Sequence, residues 1–202
     1  MPSKIVCVGR NYAAHAKELG NDLPSEPLIF LKPPSSLIRG GASIRLPTVS
    51  QQVEYEGEIG VVIGARLHKA TAAEARRSIA GIVAANDVTA RDLQRSDSQW
   101  TRAKGFDTFC AIGEVGPVPA DLASLSLTTR VNGTIRQQAT AAAMVFSIPD
   151  VLAYISNVMT LEENDLVLTG TPDGVGTLAV GDMVEVEIAG VSRVSNPVTS
   201  DA

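Results

Sequence analysis

Cysteine and histidine are scarce in this sequence: 202 residues contain only Cys7, Cys110, His15 and His68 of these types. The cysteines stand far apart with no CxxC pair, which argues against a thiolate zinc site and against a disulfide framework. They read as two part-buried free thiols of a reducing compartment. With so little histidine, no Ser-His-Asp or Cys-His arrangement is legible. Aromatic residues are only 4% of the chain, so the core has to be built from Val, Leu, Ile and Ala. Positive charge is short as well. Seventeen Lys and Arg against 22 Asp and Glu leave a net charge of -5, which argues against nucleic acid or an anionic membrane as partner. An anionic substrate stays open, because a bound metal or a local basic cluster can invert the field. No apolar run reaches transmembrane length, and "MPSKIVCVGRNY" lacks a signal-peptide apolar region. These absences predict a cytoplasmic protein.

What is present is 45% hydrophobic residues, with 17 glycines and 11 prolines punctuating short apolar runs. The pattern predicts a single domain over residues 1–202, mostly β with short helices, of the α+β class. "KIVCVG", "LIFLK", "VEYEGEIGVVIGAR" and "IAGIVAAND" read as strands, the third as one long strand. "NYAAHAKELG" reads as a short helix closed by Gly20, and "NDLPSEP" as a loop. "TAAEARRSIAG" carries a capping box, Thr71 with Glu74, and Gly81 as its stop. Thr89 and Asp92 are placed as a second capping box. Asn132-Gly133 suits a type I′ turn between two strands. "SIPDVLAYISNVMTL" is a helix capped by Ser147, with Val151, Leu152, Ile155, Val158 and Met159 on one face. "DLVLTGTPDGVGTL" is a strand running into a glycine loop.

The chemistry concentrates in "VEYEGEIG". Side chains alternate along a strand, so Glu54, Glu56 and Glu58 share a face. Three carboxylates leading into an apolar run repel one another, and a hard divalent cation would resolve the conflict. The alternative is the polar face of an edge strand in water. Spacing does not say which two glutamates would bind. Asp87, where an apolar strand ends, is a candidate third ligand or a simple turn residue. Arg91, Gln94 and Lys104 could be donors to a substrate carboxylate or plain surface residues. "TGTPDGVG" is neither a P-loop nor a dinucleotide fingerprint, but its backbone could approach a ligand, with Thr171 as a donor. His15, with Glu18 one turn on, is a weak signal taken alone.

Taken in order, "VGRNYAAHAKE", "EPLIFLKP", "YEGEIGVVIG", "NDVTARDLQ", "QWTRAKGFDTFC", "VNG", "FSIPDVLAYIS" and "LTGTPDGVG" resemble the small single-domain branch of the fumarylacetoacetate hydrolase family. The resemblance covers nearly the whole chain. It implies a mixed β-sandwich roll, usually a homodimer, with Mg²⁺ or Mn²⁺ held by Glu56, Glu58 and Asp87, Glu54 being left out. It implies a catalytic dyad of His15 and Glu18, with Lys104 beside the reacting group. Arg10, Arg91, Gln94 and Thr171 would bind a 2-oxo or 2,4-dioxo acid. The implied reaction is hydrolysis of an acylpyruvate to pyruvate and a carboxylic acid through a pyruvate enolate. Loss of CO₂ from oxaloacetate reaches the same enolate without an attacking water, and the family also includes dioxo-acid isomerases and decarboxylases of aromatic catabolism. Against a binding protein without catalysis stands the retention of all six of His15, Glu18, Glu56, Glu58, Asp87 and Lys104.

Overall fold

Alternation along the first strand is the key to the architecture. In Ile5–Gly9, Val6 and Val8 pack into one apolar cluster while Ile5 and Cys7 pack into another. A strand covered on both faces reads as a continuous apolar run, and the sheet around it is buried on both sides. The computed structural model of the chain describes residues 1–18 and 24–201. A seven-stranded sheet runs in the order Leu28–Lys32, Ile5–Gly9, Leu166–Leu168, Gly57–Ile63, Ile79–Asp87, Cys110–Ile112, Leu37–Arg39. A five-stranded sheet runs Thr134–Thr140, Ser126–Val131, Met183–Ile188, Ser192–Ser200, Ile44–Leu46. A small third sheet joins Gly176–Thr177, Val53–Tyr55 and Thr89–Ala90. Parallel and antiparallel pairs are mixed. Among the described residues the helices are short, Ile148–Val158 being the longest. The fold is a mostly β, curled roll with short helices, as the sequence predicts.

The five-stranded sheet contributes Leu127, Val186, Ile188 and Val194 to a core shared with Ile82 and Ala84 of the larger sheet. Val151, Leu152 and Ile155 of the longest helix belong to the same core. Ser147 caps this helix by accepting from the Asp150 amide. The Asn132-Gly133 turn has both residues at positive φ, +51° and +78°, as a type I′ turn requires. The Thr71–Glu74 capping box is present.

Several local expectations are corrected. The strand predicted through residues 53–66 breaks at Glu56, whose amide donates to the Asn86 side chain at 3.0 Å. The helix begun at Thr71 ends at Arg77, because Ile79 already pairs with Ile63; Gly81 lies inside a strand. No capping box forms at Thr89. Its hydroxyl donates to the Asp87 carbonyl, and Asp92 accepts from Ser50 and the Gln51 amide instead. Val158 is exposed, not part of the buried stripe. The thiols of Cys7 and Cys110 are fully buried, and burial pushes both up, that of Cys110 to about 12. The Gly20 stop and the first three residues of the "NDLPSEP" loop fall at residues 19–23, outside the described residues. Among the described residues no helix is long and apolar enough to cross a membrane.

Asp165 ties the N-terminus to the sheet. It accepts from the Ser3 and Lys4 amides at 3.0 and 3.1 Å, from the Ser3 hydroxyl at 2.6 Å and from the Glu162 amide at 2.8 Å, and it pairs with Lys4. Burial pushes this carboxyl up, but the Lys4, Ser3 and Glu162 donors prevail and hold it below its ordinary 3.8. A depressed carboxyl stabilises the fold above its unfolded pKa and loses that contribution as the pH falls through the folded value. Asp165→Asn is therefore expected to lower stability by about 1–3 kcal/mol at neutral pH. The deficit should shrink at the acid end of a urea-denaturation series run from pH 7 to pH 3.

Candidate active site

Strand register assembles the site at one rim of the seven-stranded sheet. Gly57 pairs with Asn86, so Glu56 and Glu58 flank the pair and Asp87 stands one residue beyond it. The Asp87 amide donates to the Glu56 carbonyl at 2.8 Å, closing that corner. Leu166–Leu168 runs antiparallel to Gly57–Ile63 and delivers Thr169, Gly170 and Thr171 to the same rim. Ile5–Gly9 runs parallel to Leu166–Leu168 and delivers Arg10 and the Ala13–Glu18 helix there.

One carboxylate oxygen each of Glu56, Glu58 and Asp87 lies within 4.8 Å of the other two, and all three residues are buried. Lys104 Nζ bridges Glu56 Oε2 at 2.7 Å and Asp87 Oδ2 at 2.6 Å. Arg91 donates through Nη2 to Glu56 at 2.5 Å and through Nε to Glu54 at 2.7 Å. Lys32 Nζ donates to Asp87 Oδ1 at 2.6 Å and to the Val88 carbonyl at 3.1 Å. Glu54 is thus spent on Arg91 and on Gln52, 2.6 Å away, apart from the triad. Glu58 makes no ion pair among the described residues; its Oε2 accepts from the Gly170 amide at 2.6 Å.

Burial would raise Glu56, but Lys104, Arg91 and His15 prevail and hold it well below the usual carboxylate range. For Glu58 burial comes first, the Asp87 and Glu56 carboxylates add to it, and the group is pushed well above that range. Lys104 stays an ammonium: burial opposes its charge, but Asp87 and Glu56 outweigh burial. Four buried carboxylates therefore face three cations, and the uncompensated charge falls on Glu58. An all-oxygen donor set short of one positive charge fits a hard divalent cation held by Glu56, Glu58 and Asp87.

His15 Nδ1 lies 3.2 Å from Glu18 Oε2, with the imidazole buried against the same cavity. A carboxylate only accepts, so in this contact the proton sits on Nδ1, and among the described residues Nε2 has no hydrogen-bond partner. The Glu18 oxygens also accept from the Gly174 amide at 3.1 and 3.2 Å, which fastens the helix to the glycine loop. Nine of the ten residues singled out in the sequence line one cavity of about 330 Å³, and Glu18 stands behind His15. Thr171 differs from expectation. Its hydroxyl donates to the Gly57 carbonyl and accepts from Gln137, each at 2.8 Å, so its proton is committed to the scaffold.

Sequence reasoning missed Lys32, Arg95 and the wall made by Phe30 and Trp100, which meet edge to face at 5.3 Å. The available signals were a lysine closing the apolar run "LIFLK" and the single tryptophan of the chain. It also missed why Gly57 is glycine. A Cβ there would collide with Thr129 Oγ1, a buried hydroxyl with no partner among the described residues, and would come within 3.1 Å of Gln137 Oε1. Gly57→Ala is expected to destabilise the fold by about 1–3 kcal/mol in urea denaturation. Adding Thr129→Ala should restore most of the loss, because the hydroxyl removed has no bond to lose.

A mixed β roll with buried carboxylates, a histidine base and fixed cations around one cavity defines a candidate metal-assisted enzyme site. The chain belongs to the fumarylacetoacetate hydrolase family, an enzyme family: the family model for the fumarylacetoacetate (FAA) hydrolase C-terminal region matches residues 4–199. It is 45% identical over 198 residues to the mitochondrial oxaloacetate tautomerase FAHD1 of Arabidopsis thaliana, covering 95% of this chain and 89% of the relative. It is 44% identical over 197 residues to the mitochondrial oxaloacetate decarboxylase of Dictyostelium discoideum, covering 93% and 89%. A solved 2-hydroxyhepta-2,4-diene-1,7-dioate isomerase from Mycobacterium marinum superposes with a TM-score of 0.92 at 43% identity, covering 100% of this chain and 76% of that one.

Proposed function

We propose that this protein is a divalent-metal-dependent enzyme acting on a short 2-oxo diacid, with oxaloacetate as substrate and proton transfer at C3 as the reaction. The observation that carries this reading is that His15, paired through Nδ1 with Glu18, lines the same cavity as the Glu56, Glu58 and Asp87 carboxylates. The names of the relatives support it, since each denotes chemistry on a 2-oxo or 2-hydroxy diacid.

A Mg²⁺ or Mn²⁺ ion held by the three carboxylates would supply Lewis acidity to the 2-oxo acid end of the substrate. His15 takes the C3 proton of the keto form on Nε2, and Glu18 stabilises the imidazolium through Nδ1. Return of a proton to the enolate oxygen gives the enol, and the reverse sequence regenerates the ketone. Lys104, fixed as an ammonium, offsets negative charge that develops on that oxygen. Arg91 and Lys32 hold Glu56 and Asp87 in place.

A second reading is favoured by the same dyad. With a water in place of C3–H, His15 would activate the nucleophile that splits an acylpyruvate. The test is one enzyme preparation with Mg²⁺, offered oxaloacetate and acetylpyruvate, with loss of enol absorbance and release of pyruvate followed in parallel. Fast loss of enol with slow pyruvate release supports the first reading. Pyruvate release from acetylpyruvate that outpaces enol loss from oxaloacetate supports the second.

A further inference from the structure

The cations of the cavity wall divide into two groups. Arg91 and Lys104 are buried and spent on Glu54, Glu56 and Asp87. Arg95 is different. It lies four residues after Arg91 on the Arg91–Ser96 helix, so the two share a face, and both line the cavity. Arg95 is exposed at the mouth, and among the described residues its side chain meets the neutral amide oxygen of Gln52 and no carboxylate. Arg10 also lines this cavity and is held at φ +59°, a left-handed conformation that favours glycine or asparagine. Such strain costs on the order of 1 kcal/mol and is found where a side chain must be aimed. The same cavity is lined by an apolar wall of Phe30 and Trp100, with Lys104 Nζ 4.9 Å from the Phe30 ring. Gly9 permits that wall, since a Cβ there would sit 3.1 Å from the Trp100 ring.

The buried part of the cavity lining presents the triad and the His15 imidazole, and its exposed part presents Arg95, whose charge meets no carboxylate among the described residues. We infer that Arg95, assisted by Arg10, is the subsite for the far carboxylate of the substrate and makes the enzyme selective for dianionic over monoanionic 2-oxo acids. The inference rests on the reading that a short 2-oxo diacid occupies this cavity. Arg95 is here a specificity residue: it touches the end of the substrate remote from the reacting carbon.

Malate and 2-hydroxybutyrate test it, because they share a four-carbon 2-hydroxy acid chain and differ in a carboxylate replaced by a methyl group. Calorimetry on the Mg²⁺-loaded protein should show malate bound about tenfold more tightly, the scale of one partly exposed charge-assisted contact. Arg95→Ala should bring the two affinities to within about threefold by weakening malate alone, and Arg95→Lys should restore part of the difference. Arg95 is exposed and alanine is a good helix former, so the variant is expected to fold as the parent does. In kinetics the variant should raise KM for oxaloacetate with little change in kcat, and leave KM for acetylpyruvate unchanged. A wild-type protein that does not prefer malate, or a preference that survives Arg95→Ala, overturns the subsite. If the preference is present and Arg95-dependent but oxaloacetate is not turned over, the proposed reaction fails while the subsite stands.

Discussion

Glu58→Gln is expected to lose divalent-cation binding by at least about 100-fold in a calorimetric titration with Mg²⁺ or Mn²⁺, and to lose turnover with it. The same substitution is expected to raise the melting temperature of the cation-free protein. The two effects have one cause. Glu58 is buried beside Glu56 and Asp87, and among the described residues its one donor is the Gly170 amide. In the absence of a cation its charge is repelled by its neighbours, and burial adds to the cost. A neutral amide of the same shape removes that repulsion and one metal ligand together. At this chain length each kcal/mol recovered appears as about 2–4 °C. A surface glutamate would show neither effect, and a structural one would show a fall in melting temperature. Glu54→Gln is the control. It removes a partner of Arg91 and Gln52 outside the triad, so it should cost stability and leave one cation site per chain.

His15→Ala is expected to lower the rate of enol–keto interconversion by about 10²- to 10⁴-fold, the range of a positioned general base. Cation affinity should be unchanged, because no atom of His15 belongs to the triad. Glu18→Gln should have a smaller effect. The amide can still hold the ring and the Gly174 amide, but it no longer stabilises the imidazolium. The variant pair also separates reactions that share an enolate. Decarboxylation of oxaloacetate needs no base to remove a proton, so His15→Ala should spare pyruvate release from oxaloacetate while abolishing both interconversion and acylpyruvate hydrolysis. Equal losses in all three would make His15 a structural residue.

The parts of this site that were legible in the sequence are those set by local geometry. Alternation in "VEYEGEIG" puts Glu56 and Glu58 on one side, and both reach the site even though the strand breaks at Glu56. The Asn132-Gly133 turn and the Thr71 cap are likewise decided within a few residues. What spacing could not decide depends on partners distant in sequence. Glu54 is drawn away from the triad by Arg91, 37 residues on. The strand breaks because the Asn86 side chain, 30 residues on, takes the Glu56 amide. Lys32 closes an apolar strand and by composition belongs in water. It is buried because Asp87, 55 residues away, requires a second cation. The false capping box at Thr89 has the same origin, since Asp92 is engaged by Ser50 across 42 residues. The family resemblance supplied the choice of Glu56, Glu58 and Asp87 that alternation left open, and the structure brings the same three carboxylates together.

The proposed function requires the carboxylate triad and His15 to work as one site on oxaloacetate. Deuterium incorporation at C3 of oxaloacetate in D₂O, followed by NMR, tests it most directly. Protein stripped with a chelator should exchange C3 protons at the buffer rate, and replenishment with Mg²⁺ should accelerate exchange in the wild-type protein but not in His15→Ala. Exchange as fast in the stripped protein, or no acceleration once the cation is bound, would contradict the account.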